Sequence, residues 1–292
     1  MTDKIVLGTV QLGTEYGVAN KTGMPSNDEA FRILSSAYDA GVRELDTASA
    51  YGQSEYVIGK FIGSAQKHFD AVSKTRLFGD GGIGGFRAGF EKTLGALGQD
   101  SLYGYLVHDF TDFRKYGTGL WDECLRLKKE GLVKNAGFSV YHPGELDYLF
   151  EKKVTPDIVQ LPFNVFDQRF KPRFAGLKER GIKIYARSAF LQGLFFLTPE
   201  ESGKKCRNAP GRIAELKKVS DEHGMPLAAL CELFALLEEG IDKVVIGVDS
   251  VRQLEENLSF LKYAEKGRRL RGALGEMAVE DEDVILPYRW SK

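Results

Sequence analysis

Eight short apolar runs recur along the chain, and longer amphipathic stretches separate most of them. The runs are KIVLGT (4–9), VRELDT (42–47), DAVSKT (70–75), LYGYLVH (102–108), VKNAGFS (133–139), PDIVQL (156–161), IKIYARS (182–188) and DKVVIGV (242–248). Each has the length of a strand, while the stretches between carry helical spacing. In SNDEAFRILSSAYDAG (26–41), Ser26 and Glu29 match a capping box, and Phe31, Leu34, Ala37 and Tyr38 form one apolar stripe. Further helical patterns cover 82–97, 117–130, 171–180, 209–223 and 250–263. Gly41, Gly131 and Gly181 stand where a helix must stop before the next strand.

Strands that alternate with helices pair in parallel, because parallel neighbours need crossover connections. Eight such units in 292 residues fit a closed (β/α)8 TIM barrel better than an open sheet. No Pro-, Gly- or Ser-rich linker divides the chain, so residues 1–264 are expected to form one barrel domain. Residues 265–292, which include EDEDVILPYRW, are expected to pack on it as a C-terminal tail.

Composition removes several function classes. A net charge of -1 implies no broad attraction to nucleic acid or anionic membrane. The basic run KGRRLR (266–271) reads as a solvated helix end. Three cysteines without CxxC spacing and four histidines make no zinc set. No apolar run is long enough to span a bilayer, and MTDKIVLGTV lacks the pattern of a signal peptide. A monomer or weak homo-oligomer in a reducing cytoplasm is the expectation.

The active end of such a barrel lies at the carboxyl ends of its strands. The second strand ends at Asp46, with Tyr51 in the loop beyond; the third ends at Lys74 and the fourth at His108. Any one of these has an ordinary structural explanation, such as a helix cap, a packed ring or a core histidine. Together, at matched positions on consecutive strands, they make chemical sense. A phenol is a poor acid and a poor base near neutral pH, and a nearby ammonium should lower its pKa. A carboxylate would keep that ammonium charged, and an imidazole could hold a substrate oxygen beside the phenol. The set lacks a nucleophile and a carboxylate pair, so acyl transfer and glycoside hydrolysis fit poorly. Carbonyl–alcohol interconversion fits, with a hydride from elsewhere.

Taken with these residues, the sequence resembles the aldo-keto reductase family. GTVQLG, GVRELDTASAYGQSEYVIG, VSKT, YLVHDF, AGFS, VQLPFN, RSAFLQGLF and VIGVDSVRQLEENL occur in family order and cover most of the chain. The resemblance implies that Asp46, Tyr51, Lys74 and His108 are a catalytic tetrad, with Tyr51 the acid for reduction. It implies a nicotinamide cofactor across the barrel mouth, contacted by Gly8, Thr9, Ser139 and Gln160. Ser188, Phe190 and Gln192 would surround the pyrophosphate. Gly247, Asp249, Gln253, Glu256 and Asn257 would face the adenosine, near free N–H groups of a helix opening at Ser250. The β-hairpin that plugs the barrel floor in this family is not evident, and the tail is one candidate to cover that end.

Three positions depart from the family pattern. Val140 stands where an asparagine commonly follows the serine. Arg187 replaces an aromatic, and its planar guanidinium could stack on the nicotinamide or bind a substrate carboxylate or phosphate. Gln253 replaces an arginine used for a 2′-phosphate. Family habit favours NADP(H), while Asp249 and Gln253 pull toward NAD(H); NADP(H) keeps a slight lead. The run Gly79–Gly84 satisfies GxGxxG, but Asp100 precedes the next strand instead of ending it, so the dinucleotide motif lacks its context.

For substrate, Gln11, Tyr16, Phe78, Phe110 and His142 join the expected mouth. That mixture suits a polar, hydroxylated carbonyl such as a sugar. A cofactor-binding regulatory subunit without turnover is the alternative.

Overall fold

A computed structural model describes residues 1–75 and 79–291, with the backbone alone for 79–81. The eight apolar runs form eight parallel strands that close into one barrel in chain order. These are β1 Ile5–Gly8, β2 Glu44–Asp46, β3 Asp70–Thr75, β4 Leu102–Val107, β5 Val133–Ser139, β6 Ile158–Pro162, β7 Lys183–Arg187 and β8 Lys243–Gly247. Closure comes from β8 pairing with β1, Ile5 opposite Val244.

The pleat sends successive side chains to opposite faces. Inward, Val6, Val72, Leu106, Ile158 and Tyr185 fill the waist of the barrel. Outward residues such as Leu7, Leu45, Ala71 and Val107 join the larger core under the helices.

The helical layer comprises α1 Asn27–Asp39, α2 Ser54–Ala65, α3 Phe86–Leu97, α4 Phe110–Tyr116, α5 Thr118–Lys129, α6 Pro143–Glu151, α7 Phe174–Glu179, α8 Pro199–Lys205, α9 Ala209–Glu222, α10 Leu227–Leu236, α11 Val251–Ser259, α12 Ala264–Gly275 and α13 Glu282–Ile285. Half of the expected capping box forms. Ser26 Oγ accepts from Glu29 N at 3.2 Å, but the Glu29 carboxylate turns to Arg32 and to Val251 N. Helix α10 escapes the amphipathic pattern because Ala229 to Leu236 are all buried, leaving only its first turn partly open. The pattern at 82–97 becomes helical only from Phe86; the glycine-rich run before it is a 3-10 stretch. No helix among the described residues is long and apolar enough to cross a membrane.

The barrel floor is closed by polar side chains at the strand starts. Tyr185 Oη donates to Glu44 Oε2 at 2.7 Å, and Lys243 pairs with the same carboxylate. Lys183 Nζ donates to Tyr103 Oη at 2.9 Å, and Lys243 Nζ donates to the Asp3 carbonyl at 2.7 Å in the turn before β1. These mutually satisfied groups make a lid from the strands themselves.

The C-terminal segment lies elsewhere. Val279 N donates to Phe166 O, Arg169 pairs with Glu282, and the Tyr288 hydroxyl meets His142 Nε2 at 3.0 Å. Those partners follow β5 and β6, so the tail packs over the mouth side and not the floor.

Candidate active site

Asp46 ends β2, and the loop to α2 is tied down by buried hydroxyls. Thr9 Oγ1 donates to Asp46 O at 2.9 Å, Ser54 Oγ donates to Thr9 O at 2.8 Å, and Ser54 Oγ lies 3.1 Å from Thr47 Oγ1. The same loop touches the turn after β1 through bare backbone. A Cβ on Gly13 would lie 1.9 Å from Tyr51 O, and Gly52 adopts a φ of 56°. Only glycine permits that approach, which sets how far Tyr51 reaches over the barrel.

Lys74, from β3, is fully buried. Its Nζ donates to Asp46 Oδ2 at 2.7 Å, to Thr47 O at 2.9 Å and to Tyr51 Oη at 3.2 Å. Three acceptors match the three N–H bonds of an ammonium, so no lone pair is left for a Schiff base. The other Asp46 oxygen accepts from Gln160 Nε2 at 2.6 Å. His108 completes the group: its ring meets Tyr51 edge-on, centroids 5.7 Å apart at 85°.

The electrostatics differ from the sequence expectation in one sign. Burial pushes the Tyr51 phenol above its ordinary pKa; the Asp46 carboxylate adds to this, and the Arg187 guanidinium opposes it. Loss of solvent outweighs the nearby cations, so the phenol is held protonated. For Lys74, burial lowers the pKa while Asp46 raises it by attraction and a direct hydrogen bond.

A cleft of about 610 Å³ opens over this group. Asp46, Tyr51 and His108 line its floor together with Gln11, Tyr16 and Arg187. Gly8 and Thr9 at the end of β1, Ser139 and Gln160 on β5 and β6, and Ser188, Phe190 and Gln192 after β7 also line it. Gly247, Asp249, Gln253, Glu256 and Asn257, at the end of β8 and on α11, line it as well.

Two expected substrate residues are placed outside the cleft. Phe110 is 4% exposed and packs against Phe113, Phe138 and Tyr148, because α4 starts there and turns its first ring inward. His142 precedes α6 and faces the tail. Phe78 lies outside the described residues. Gly82 to Gly85 of the glycine run do not line the cleft. Conversely, Tyr141, Asn20 and Phe196 line it without having been singled out. Tyr141 carried a usable signal, two residues beyond Ser139 at the end of β5.

Several features suit a bound nicotinamide dinucleotide. Gln160 Oε1 and Gln11 Oε1 are buried acceptors with no hydrogen-bond partner among the described residues. An amide N–H₂ would satisfy the first. The loop after β7 holds Ser188, Leu191 and Gln192 at φ of 63°, 46° and 52°. Such conformations are strained for these residues and persist where surroundings enforce them. Here Asn164 Nδ2 grips Ser188 O at 3.1 Å, and Val18 N grips Gln192 O at 2.9 Å.

The α11 end differs from expectation. Two of its first-turn amides are taken: Val251 N donates to Glu29 Oε1 at 2.9 Å and Gln253 N to Ser250 Oγ at 3.2 Å. Asp249 N donates to Gln253 Oε1 at 2.8 Å. A carboxylate from α1 thus sits where a phosphate was expected.

Residues 4–266 match the model of the Aldo/keto reductase family. Methylglyoxal reductase DkgA of Salmonella typhimurium is 30% identical over 49% of this chain, which spans 52% of that protein. Chloroplastic pyridoxal reductase of Arabidopsis thaliana is 26% identical over 96% of this chain and 81% of its own length. The holo form of an aldo-keto reductase from Bacillus halodurans superposes with a TM-score of 0.76 at 20% identity, covering 96% and 95% of the two chains.

Proposed function

We propose that this chain, which belongs to the aldo/keto reductase family, reduces a polar carbonyl compound with a nicotinamide cofactor, Tyr51 delivering the proton. The observation that carries the reading is the Lys74 ammonium, bonded at once to Asp46 Oδ2 and Tyr51 Oη.

A reduced nicotinamide would supply hydride to the carbonyl carbon. Gln160 would hold its carboxamide through Oε1, which has no partner among the described residues, with Ser139 beside it, and the pinned loop 188–193 would take the pyrophosphate. The remaining steps belong to this chain's side chains. His108 would orient the carbonyl oxygen beside Tyr51 Oη. As charge develops on that oxygen, the Tyr51 proton moves to it. Lys74, already donating to Tyr51 Oη, steadies the phenolate left behind, and Asp46 keeps Lys74 in place. Solvent then restores the phenol. The arrangement needs no covalent attachment to the protein.

At the adenosine end, the geometry supports NAD(H) over the NADP(H) expected from family habit. Asp249 is half-buried there and within reach of Asn20 and Gln253, and the Glu29 carboxylate occupies the first turn of α11. A 2′-phosphate would meet the Asp249 carboxylate, whereas a ribose hydroxyl could donate to it. Polar lining from Gln11, Tyr16 and Arg187 favours a hydroxylated substrate, such as a sugar aldehyde or ketone.

Fluorescence titration with NADH and NADPH, followed by turnover of hydroxylated aldehydes, tests this reading. Binding of NADH in the micromolar range and loss of turnover in Tyr51→Phe are expected. Failure to bind either dinucleotide would refute the oxidoreductase reading.

A further inference from the structure

Arg187 enters the cleft from the end of β7 and leans toward the loop after β5. Its Nη2 donates to Val140 O at 3.1 Å, and its Nη1 lies 3.5 Å from Ser188 Oγ. The guanidinium carbon sits 4.0 Å from the centroid of the Tyr141 ring. Among the described residues, then, its partners are a carbonyl, a hydroxyl and an aromatic face, and none is an anion.

The charges around it do not balance. Arg187 and one carboxylate, Asp46, line the cleft beside Tyr51, with Lys74 buried behind them. Asp46 is already committed to Lys74 and Gln160 through its two oxygens. The other lining carboxylates, Asp249 after β8 and Glu256 on α11, make no ion pair with Arg187. Arg187 also acts electrostatically on Tyr51, Tyr16 and Lys74, which places its charge beside the reacting group. A half-buried cation without a counter-charge is unfavourable unless a ligand supplies one.

We propose that the substrate carries an anionic group, a carboxylate or a phosphate, and that Arg187 binds it while the substrate's carbonyl faces Tyr51. This rests on the reductase reading above. With two of its five N–H donors engaged, Arg187 keeps three for an incoming anion, and its planar fork matches either oxyanion geometry. Stacking on Tyr141 fixes the plane of the fork before the substrate arrives, which lowers the ordering cost of binding. A neutral sugar would leave the free donors of the guanidinium without an anion on the substrate side, so the site discriminates by charge and not only by shape.

The test compares matched pairs with the purified protein at saturating NADH or NADPH: glucuronate against glucose, and glyceraldehyde 3-phosphate against glyceraldehyde. The ratio of kcat/KM, anionic over neutral, is expected to be on the order of 10 to 100 in at least one pair, as for a charge-assisted hydrogen bond. The first pair responding identifies a carboxylate, the second a phosphate. In Arg187→Gln that ratio should fall toward one, with Arg187→Lys between. Calorimetric titration with malonate and with inorganic phosphate gives a readout independent of turnover; binding of at least one, weakened in Arg187→Gln, supports the anion site even if no carbonyl is reduced. Ratios near one in wild type, or anion binding undiminished in Arg187→Gln, overturn it. So would an Arg187→Gln variant whose cofactor Kd rises tenfold while the substrate ratio stays unchanged, since Arg187 would then serve the cofactor.

Discussion

Lys74 Nζ lies 2.7 Å from Asp46 Oδ2, with the two side chains 0% and 5% exposed. An ion pair this deep is a demanding arrangement, because each charge has lost its water. Its retention makes sense through the third bond of Lys74, to Tyr51 Oη. The pair holds a positive donor against Tyr51 Oη, the hydroxyl proposed above to give up a proton.

Removing the carboxylate should therefore cost stability as well as turnover. Asp46→Asn leaves the Lys74 ammonium buried without its counter-ion, a change worth about 3–5 kcal/mol. The double variant Asp46→Asn/Lys74→Met should regain part of that in urea unfolding while remaining inactive. Equal instability in the single and double variants would show that the charge is not what matters.

The pH dependence follows from the direction of the Tyr51 shift. Burial raises this phenol above its ordinary value of 10.0, so the protonated acid persists to higher pH than a free tyrosine would allow. Reduction needs that proton, and its kcat should stay level through the alkaline range where an ordinary phenol titrates. Alcohol oxidation needs the phenolate and should rise with pH over the same interval. An alkaline loss of reduction centred at about pH 9 would contradict the assignment of Tyr51.

Gly13 is outside the cleft, yet it should control rate. Its missing Cβ would sit 1.9 Å from Tyr51 O and 2.4 Å from Ser54 N. Gly13→Ala must push the loop outward and displace Tyr51. A shift near an ångström costs roughly 100-fold in kcat. Steady-state kinetics should show that loss with dinucleotide Kd much less affected.

Glu232, on α10, is buried with both carboxylate oxygens lacking a partner among the described residues, and burial pushes its pKa up to about 8. A raised folded-state value means that folding takes up a proton. The resulting penalty is absent below the unfolded value of 4.5, grows as pH rises, and is complete above about 8. Glu232→Gln removes it. The variant should gain a few kcal/mol, order of magnitude, relative to wild type at pH 8 and little at pH 5. Urea midpoints at the two pH values provide the check.

Cofactor choice should respond to the acidic groups around α11, where the adenosine is proposed to lie. Asp249→Ser combined with Glu29→Gln removes both carboxylates near the first turn of α11. The ratio of Kd values for NADPH over NADH is expected to fall about tenfold, each screened contact contributing up to about 1 kcal/mol. Fluorescence quenching titrations measure it directly; an unchanged ratio would remove these residues from the selectivity argument.

Much of the architecture was legible because it is written locally. A strand's length, a helix's stripe and a glycine stop each depend on a few neighbouring residues, and Gly41, Gly131 and Gly181 do take φ of 92°, 75° and 72°. The placement of Asp46, Lys74 and His108 at successive strand ends is local in the same way. Helix α10 was missed for a matching reason, since a helix buried on every side beyond its first turn shows no alternation to read.

What stayed hidden depends on partners far apart in the chain. Phe110 and Tyr141 both follow strand ends, and only packing decides that the first turns into the core and the second lines the cleft. Glu29 caps the turn at Val251 across 222 residues, cancelling a phosphate site that the helix start alone suggested. The sign of the Tyr51 shift belongs here too. Residue types alone predict an ammonium that lowers a phenol's pKa; the assembled barrel removes the water, and desolvation reverses the outcome. The sequence by itself therefore determined the barrel and the order in which chemical groups reach its mouth. Burial and long-range contact, which exist only once the barrel closes, decided which groups face the cleft and what charge each carries there.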